Sequence, residues 1–175
     1  MITEVGKSLL AFGLGQQGYG IYFALFLGQV VSLALWSLAL NLLRTRKGTL
    51  EFQALKGVAL DFPYVSAGML VGQYSLAGLP LLTSFPIVWV LGSELATQAF
   101  SWVAMWLLAG SVSLIFSGMR VLSVSVTEIK EEEKKETFEL FSRLMLILGS
   151  SVLVILSFFP NYLLHLGTLL AGSYR

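Results

Sequence analysis

The sequence predicts an all-α integral membrane protein with about five transmembrane helices, one of them broken by proline, and short interfacial helices at the termini. Hydrophobic residues make up 56% of the 175 residues, charged residues only 12%, and the mean hydropathy is +0.81. A soluble domain is about half apolar but about a quarter charged, so the scarcity of charge decides the class. Long apolar runs separated by short polar segments are typical of a multi-pass membrane protein.

The same composition argues against several functions. The net charge of +1 gives no electrostatic case for nucleic-acid binding. The absence of cysteine excludes a disulfide framework, a thiolate metal site and a thiol nucleophile, and a single histidine leaves little scope for triad or metal chemistry. A cleaved signal peptide is not expected, because Glu4 precedes Lys7 and no A-x-A cleavage site follows the short apolar run.

The predicted elements form a single transmembrane domain covering residues 1–175. Residues 1–15 are predicted to form a short helix, which is either interfacial or the end of a span that begins upstream. The predicted spans cover residues 18–43, 60–79, 80–94, 99–124 and 138–159, with a charged connector at 127–137. Residues after Pro160 form an apolar interfacial tail.

The segment Tyr74–Pro86 lies inside the longest apolar region, and an undisturbed helix cannot pass through it. Pro80 and Pro86 each remove a backbone donor and clash with the carbonyl four residues earlier. Ser75 and Gly78 supply small or hydroxylated side chains for the groups that the break frees. Such a break is tolerated at membrane depth only where protein or a water-filled cavity covers it, so we expect this segment to face other helices. The candidate residues of the break are Gln73, Ser75, Gly78, Pro80 and Pro86.

Glu94 lies in the long apolar region after Pro80 and is a candidate functional residue, because charged groups within spans are costly and often functional. It would lie ~21 Å along a helix that starts at Pro80. Two interpretations stay open: a turn residue between the third and fourth spans, or a buried protonatable group facing a partner subunit. Gln29 and Gln73 are more typical of hydrogen bonds between helices than of relay positions.

The only strongly charged segment lies between the last two spans. It is interpreted as a solvated connector or as a docking surface for a neighbouring subunit. Its candidate docking residues are Glu131, Glu132, Glu133, Lys134 and Lys135. With five spans, this connector and the basic loop Arg44–Lys56 fall on opposite sides of the membrane, so positive charge does not decide the orientation.

Three segments, taken in order, resemble a known family. They are Leu55–Ala59 followed by Pro63, Ser75–Pro80 followed by Phe85, and Phe158–Leu164 at the end of the last span. Together they resemble the C-terminal third of the antiporter-like membrane subunits of proton-pumping NADH:quinone oxidoreductase (complex I), of the chain N type. Relatives occur in membrane-bound hydrogenases and multisubunit cation/proton antiporters. The resemblance extends from about Gly6 onward and covers only part of the family's length.

Three departures from the family's pattern stand in and after the break. Leu81 occupies the position of the family's second proline, and Ser84 that of the glycine before phenylalanine. Val88 occupies the position of the intramembrane lysine of the broken helix. The resemblance therefore implies the fold and the complex, but not that this chain moves protons by itself.

The implied function is that of a structural or completing membrane subunit of a proton- or ion-translocating oxidoreductase, without the intramembrane lysines of the pumping subunits. Redox cofactors and the quinone and NADH sites are expected on partner chains, so no catalytic residue, cofactor or metal is predicted here, and a bound lipid is left open. The expected partners are the lipid bilayer and other membrane subunits, especially antiporter-like chains, and not nucleic acid. The expected location is the plasma membrane of a prokaryote, with an energy-transducing organelle membrane as the alternative.

Two functions of other classes remain as alternatives. A small homo-oligomeric transporter or channel would form a stable oligomer in mild detergent without partners. An assembly or scaffold protein would be absent from the mature complex.

Overall fold

The computed structural model describes residues 2–49, 51, 55–97, 100–127 and 140–172, and no strand occurs in these ranges. The helices are α1 (Ile2–Gly13), α2 (Gln16–Lys47), α3 (Val58–Asp61), α4 (Pro63–Ala77), α5 (Ser84–Thr97), α6 (Ser101–Val126), α7 (Leu140–Phe158) and α8 (Pro160–Gly172). The predicted all-α class is confirmed. The predicted first, fourth and fifth spans correspond to α2, α6 and α7.

The long helix α2 is the centre of the bundle, and α1, α4, α5, α7 and α8 all pack against it. Its 32 residues reach ~48 Å, which exceeds the thickness of a bilayer core. The helix ends at Gly48, which adopts the left-handed conformation (φ 74°) and donates its N–H to the carbonyl of Arg44. Basic residues in the last turn stabilise this end of the helix, because the helix dipole is negative there.

Helices α4 and α5 lie one after the other along α2. A Cβ on Gly72 of α4 would lie 3.0 Å from the carbonyl oxygen of Ser32, and one on Gly28 would lie 3.4 Å from Thr83, just before α5 begins. With 15 and 14 residues, the two helices reach ~22 and ~21 Å and are each too short to cross alone. The two segments that the sequence analysis counted as separate spans therefore form one interrupted pass.

Helix α6 returns antiparallel to that interrupted pass. Leu107 near its start faces Gly92 of α5, Gly118 faces the ring of Tyr74 at the end of α4, and Thr127 lies beside Gly57. The 26 residues of α6 thus contact both halves of the broken element.

The last pass is also interrupted. Gly149 of α7 packs on Leu35, and Gly167 of α8 packs on the backbone of Gly20 and Ala24. Helices α7 and α8 therefore follow α2 in the opposite direction, with the change of helix at Phe159, just before Pro160. A proline at the first position of α8 suits this change because its missing N–H is not needed there.

This arrangement places the two polar loops at the same end of the bundle, which differs from the five-span prediction. Five separate spans would put the loop after α2 and the loop after α6 at opposite ends. In the structure, Gly57 and Thr127 are neighbours, because α4 and α5 make a single pass before α6 returns.

Both terminal helices pack along α2. Helix α1 runs antiparallel to α2, with Glu4 beside Gln29 and Ala11 beside Gly18. Helix α8 packs lengthwise on the first turns of α2, because glycines on both helices let the backbones approach.

Among the described residues, three helical segments are each long and apolar enough to cross a membrane: Gly18–Lys47, Ser101–Val126 and Phe141–Phe158. The outer faces of α6 and α7 expose large apolar side chains, as a surface in contact with lipid or with another membrane subunit does. These side chains include Trp102, Met105, Trp106, Phe116, Phe141, Leu148 and Ile155.

We predict that Gly167→Ala destabilises the bundle by about 1–3 kcal/mol, because the added Cβ overlaps the carbonyl oxygen of Gly20 and moves α8 away from α2. Thermal unfolding in mild detergent measures the effect. Gly172→Ala on the same helix is the control, since a Cβ there meets nothing within 4 Å. Equal midpoints for the two variants would contradict the close contact between α8 and α2.

Candidate functional site

The break between α4 and α5 begins at Gly78, which has a left-handed backbone (φ 77°). Its N–H donates to the carbonyl of Ser75, and the N–H of Leu79 donates to the carbonyl of Tyr74. These bonds close the last turn of α4 in the manner of a Schellman motif, which satisfies two of the carbonyls left free at a helix end. The predicted helix break thus falls at Gly78, with Pro80 exposed two residues later.

Leu81 has a positive φ of 75°, which is rare for a residue with a branched side chain. Proline cannot adopt this conformation, because its ring holds φ near −65°.

Hydroxyl groups attach the break to its neighbours. Ser75 accepts a hydrogen bond from Ser32 of α2 at 2.8 Å, in the buried contact between the two helices. Thr83 is fully buried and donates to the carbonyl of Leu153 on α7. The break is thus covered by α2 and α7, as expected for an interrupted helix in a membrane.

The side chain of Lys7 in α1 extends to this break, so that its ammonium group lies beside the end of α4. It is buried, with 1% of its surface exposed. Its ammonium donates to the carboxylate of Glu4 at 2.8 Å and to the carbonyl oxygen of Leu76 at 2.7 Å. Leu76 lies in the last turn of α4, where free carbonyls and the helix dipole both favour a positive charge. The break therefore supplies a partner for a lysine that would otherwise be costly to bury.

Glu4 has a second partner on α2. The side-chain amide of Gln29 donates to its other carboxylate oxygen at 2.9 Å, and the hydroxyl of Ser8 lies 3.5 Å from the amide oxygen of Gln29. These side chains form a polar cluster, made of Glu4, Lys7, Ser8 and Gln29, that joins α1 and α2 to the end of α4.

The polar cluster lies near the middle of the bundle. Gln29 is ~20 Å from the first residue of α2 and ~27 Å from its last, at 1.5 Å per residue. It also borders a cavity of about 580 Å³ between α1 and α2, whose other walls are mostly apolar. The cavity is lined by Glu4, Val5, Ser8, Leu9, Phe12, Tyr22, Phe26, Gln29, Leu33 and Leu76.

The remaining predicted residues lie around the break but not all in the polar cluster. Gln73 is half-buried in α4, and Pro86 lies in the first turn of α5. Glu94 is half-buried in the last turn of α5, at the end of that helix away from the break. Val88 is buried and lines a second cavity, of about 280 Å³, between α5 and α6.

The five candidate docking residues lie outside the part of the chain that the structure describes. They are Glu131, Glu132, Glu133, Lys134 and Lys135, and their proposed role stays a prediction.

Sequence reasoning missed Glu4 and Lys7. It used Glu4 only as evidence against a signal peptide and assigned no partner to either charge of the first helix. The available signal was the spacing: two opposite charges three residues apart share one face of a helix and can pair. Gln29 does bond across helices, as expected, and its partner is the missed carboxylate.

Comparisons with known proteins agree with this architecture. Residues 1–117 match the family described as "NADH:quinone oxidoreductase/Mrp antiporter, TM". The chain is similar to NADH-quinone oxidoreductase subunit N of Cupriavidus taiwanensis, with 30% identity over 131 residues. This match covers 71% of the chain and 26% of the relative, so the chain spans about a quarter of that protein's length.

We predict that Lys7→Met lowers the free energy of unfolding by about 3–5 kcal/mol, because it leaves Glu4 charged and buried without its cation. The double variant Glu4→Gln/Lys7→Met should recover a large part of this loss, since no unpaired charge remains. Thermal unfolding in detergent measures both variants.

The matched control is Lys47→Met, which removes the partially exposed pair between Lys47 and Asp61 (3.0 Å). An exposed pair is worth about 0.2–1 kcal/mol. If Lys7→Met and Lys47→Met have equal effects, the pair of Glu4 and Lys7 is not buried as described.

Proposed function

Because the chain belongs to the family of transmembrane subunits found in NADH:quinone oxidoreductases and Mrp antiporters, we propose that it is a membrane subunit of a multisubunit, ion-translocating oxidoreductase of the complex I type. The similarity to a bacterial subunit N supports this assignment. We place the complex in the plasma membrane of a prokaryote. Its redox centres and its quinone and NADH sites belong to other chains.

Within that complex, the proposed role is to complete a larger translocating assembly. One observation from the sequence supports it: α5 carries Val88 at the position where the resemblance places the family's intramembrane lysine. The expectation that the chain lacks the intramembrane lysines of the pumping subunits stays a prediction, and the structure adds a different lysine. Lys7 is buried at the level of the break, so the completing subunit contributes one charged pair.

The hydrogen-bonded pair of Lys7 and Glu4 at the end of α4 is the observation that carries this proposal. Charged side chains inside a membrane are costly and are functional candidates by default. The pair holds one positive and one negative charge in direct contact, with the ammonium nitrogen 2.8 Å from a carboxylate oxygen. Gln29 holds the carboxylate from α2, and the Leu76 carbonyl holds the ammonium from α4.

We predict that Glu4→Gln/Lys7→Met abolishes most of the coupled ion translocation of the assembled complex. The replacements keep the approximate volume of both side chains while removing both charges of the buried pair. Proton uptake by inverted membrane vesicles, normalised to electron transfer and to the amount of assembled complex, is the measurement. Translocation at the level of the unchanged protein, with the complex assembled, would leave the pair a structural role only.

Glu94→Gln is the comparison within the same chain. Glu94 lies in the last turn of α5, away from the polar cluster, and we expect its neutralisation to leave coupled translocation within about twofold of the original. A total loss with the complex still assembled would instead assign the ion path to Glu94 and refute a purely structural function of α5.

We also predict that purification in mild detergent recovers the chain together with antiporter-like membrane subunits, which mass spectrometry identifies. Exposed apolar faces on α6 and α7 support this expectation. A stable homo-oligomer that transports ions in liposomes would favour the small transporter. Absence of the chain from the mature complex would favour an assembly protein.

A further inference from the structure

Positive charge is concentrated at one end of the bundle. In the described parts of the chain, all arginines and lysines apart from the buried Lys7 lie toward the end where α2 and α6 finish and α4 and α7 begin, and all are exposed. They are Arg44, Arg46, Lys47, Lys56, Arg120 and Arg143.

Contacts between the helices fix these residues to the same end. Lys47 pairs with Asp61 before α4, and Arg143 near the start of α7 contacts Tyr64 in the first turn of α4. Gly57 lies beside Thr127, which follows α6 directly. At the opposite end, the described residues include Glu94 and His165 but no lysine or arginine.

We infer that the basic end is the cytoplasmic surface of the subunit and that it binds the anionic headgroups of that leaflet. Lysine and arginine near the ends of spans are retained on the cytoplasmic side, whereas acidic residues contribute little to orientation. The sequence alone gave no orientation because a count of five spans separated the two basic loops. This inference does not depend on the proposed role in ion translocation.

Arg143 is the side chain best arranged to bind a lipid phosphate. Its guanidinium lies over the ring of Tyr64, 3.8 Å from the centroid, and also contacts the phenol oxygen. That partner is uncharged, while Lys47 is paired with an acid. A guanidinium held over a ring at the membrane surface can present its remaining donors to phosphate oxygens.

The orientation is tested with single cysteines, which the chain lacks naturally. Thr49→Cys places a thiol at the basic end and Ser101→Cys places one at the opposite end, each at an exposed position. The full chain, in its native membrane, is treated with a membrane-impermeant maleimide in intact spheroplasts and in inverted vesicles. Glu51→Cys and Ala96→Cys repeat the test at a second exposed position on each end, in case a partner subunit covers the first.

We expect the thiols at the basic end to react with the maleimide in inverted vesicles, and the thiols at the opposite end to react in spheroplasts. The reverse pattern would overturn the orientation. Reaction of both ends from one side would overturn the single interrupted pass of α4 and α5 as well.

Lipid binding is tested on the purified complex in phosphatidylcholine nanodiscs, with and without phosphatidylglycerol. We expect phosphatidylglycerol to raise the unfolding midpoint of the original protein, and Arg143→Gln to lose most of that rise. Arg143→Lys should keep part of it, and His165→Gln, at the opposite end, should keep all of it. An unchanged rise in Arg143→Gln, or no rise in the original protein, would refute the proposed headgroup site.

Discussion

The buried ammonium of Lys7 is the constraint on which the arrangement of the other helices depends. A lysine at this depth is stable only if its charge and its donors are satisfied. Glu4 supplies the opposite charge and Leu76 supplies a carbonyl, but that carbonyl is free only because α4 ends in the next residues. Burial of the Lys7 charge therefore depends both on the close packing of α1 against α2 and on the position of the break.

The break in turn depends on small side chains around it. Gly72 brings the backbone of α4 against α2, and the hydroxyls of Ser32 and Ser75 bond where the helices meet. Thr83 attaches the other end of the break to α7. Because these contacts use two helices, α2 and α7, the interrupted pass is held from two sides, and the strained backbone at Leu81 can persist.

Two features of the bundle support the proposed function: the polar cluster inside it and the exposed apolar faces of α6 and α7 outside it. The polar cluster supplies one charged pair, and the cavity beside it opens between α1 and α2. The apolar faces of α6 and α7 extend over most of their length. A subunit that carries a charged pair inside and broad apolar faces outside is suited to a larger membrane assembly, where neighbouring chains continue both the ion path and the packing.

The sequence by itself determined the membrane class, the long helices α2, α6 and α7, and the break after α4. These features follow from local chemistry: apolar runs of sufficient length, and a glycine and a proline that end a helix. It also identified Ser75 and Gly78 as residues of the break. Only the tertiary structure decided that α4 and α5 form one pass and that Lys7 and Glu4 are buried. The reason is that these outcomes depend on contacts between distant residues, such as Lys7 and Leu76, which are 69 positions apart, and local patterns carry no information about such pairs.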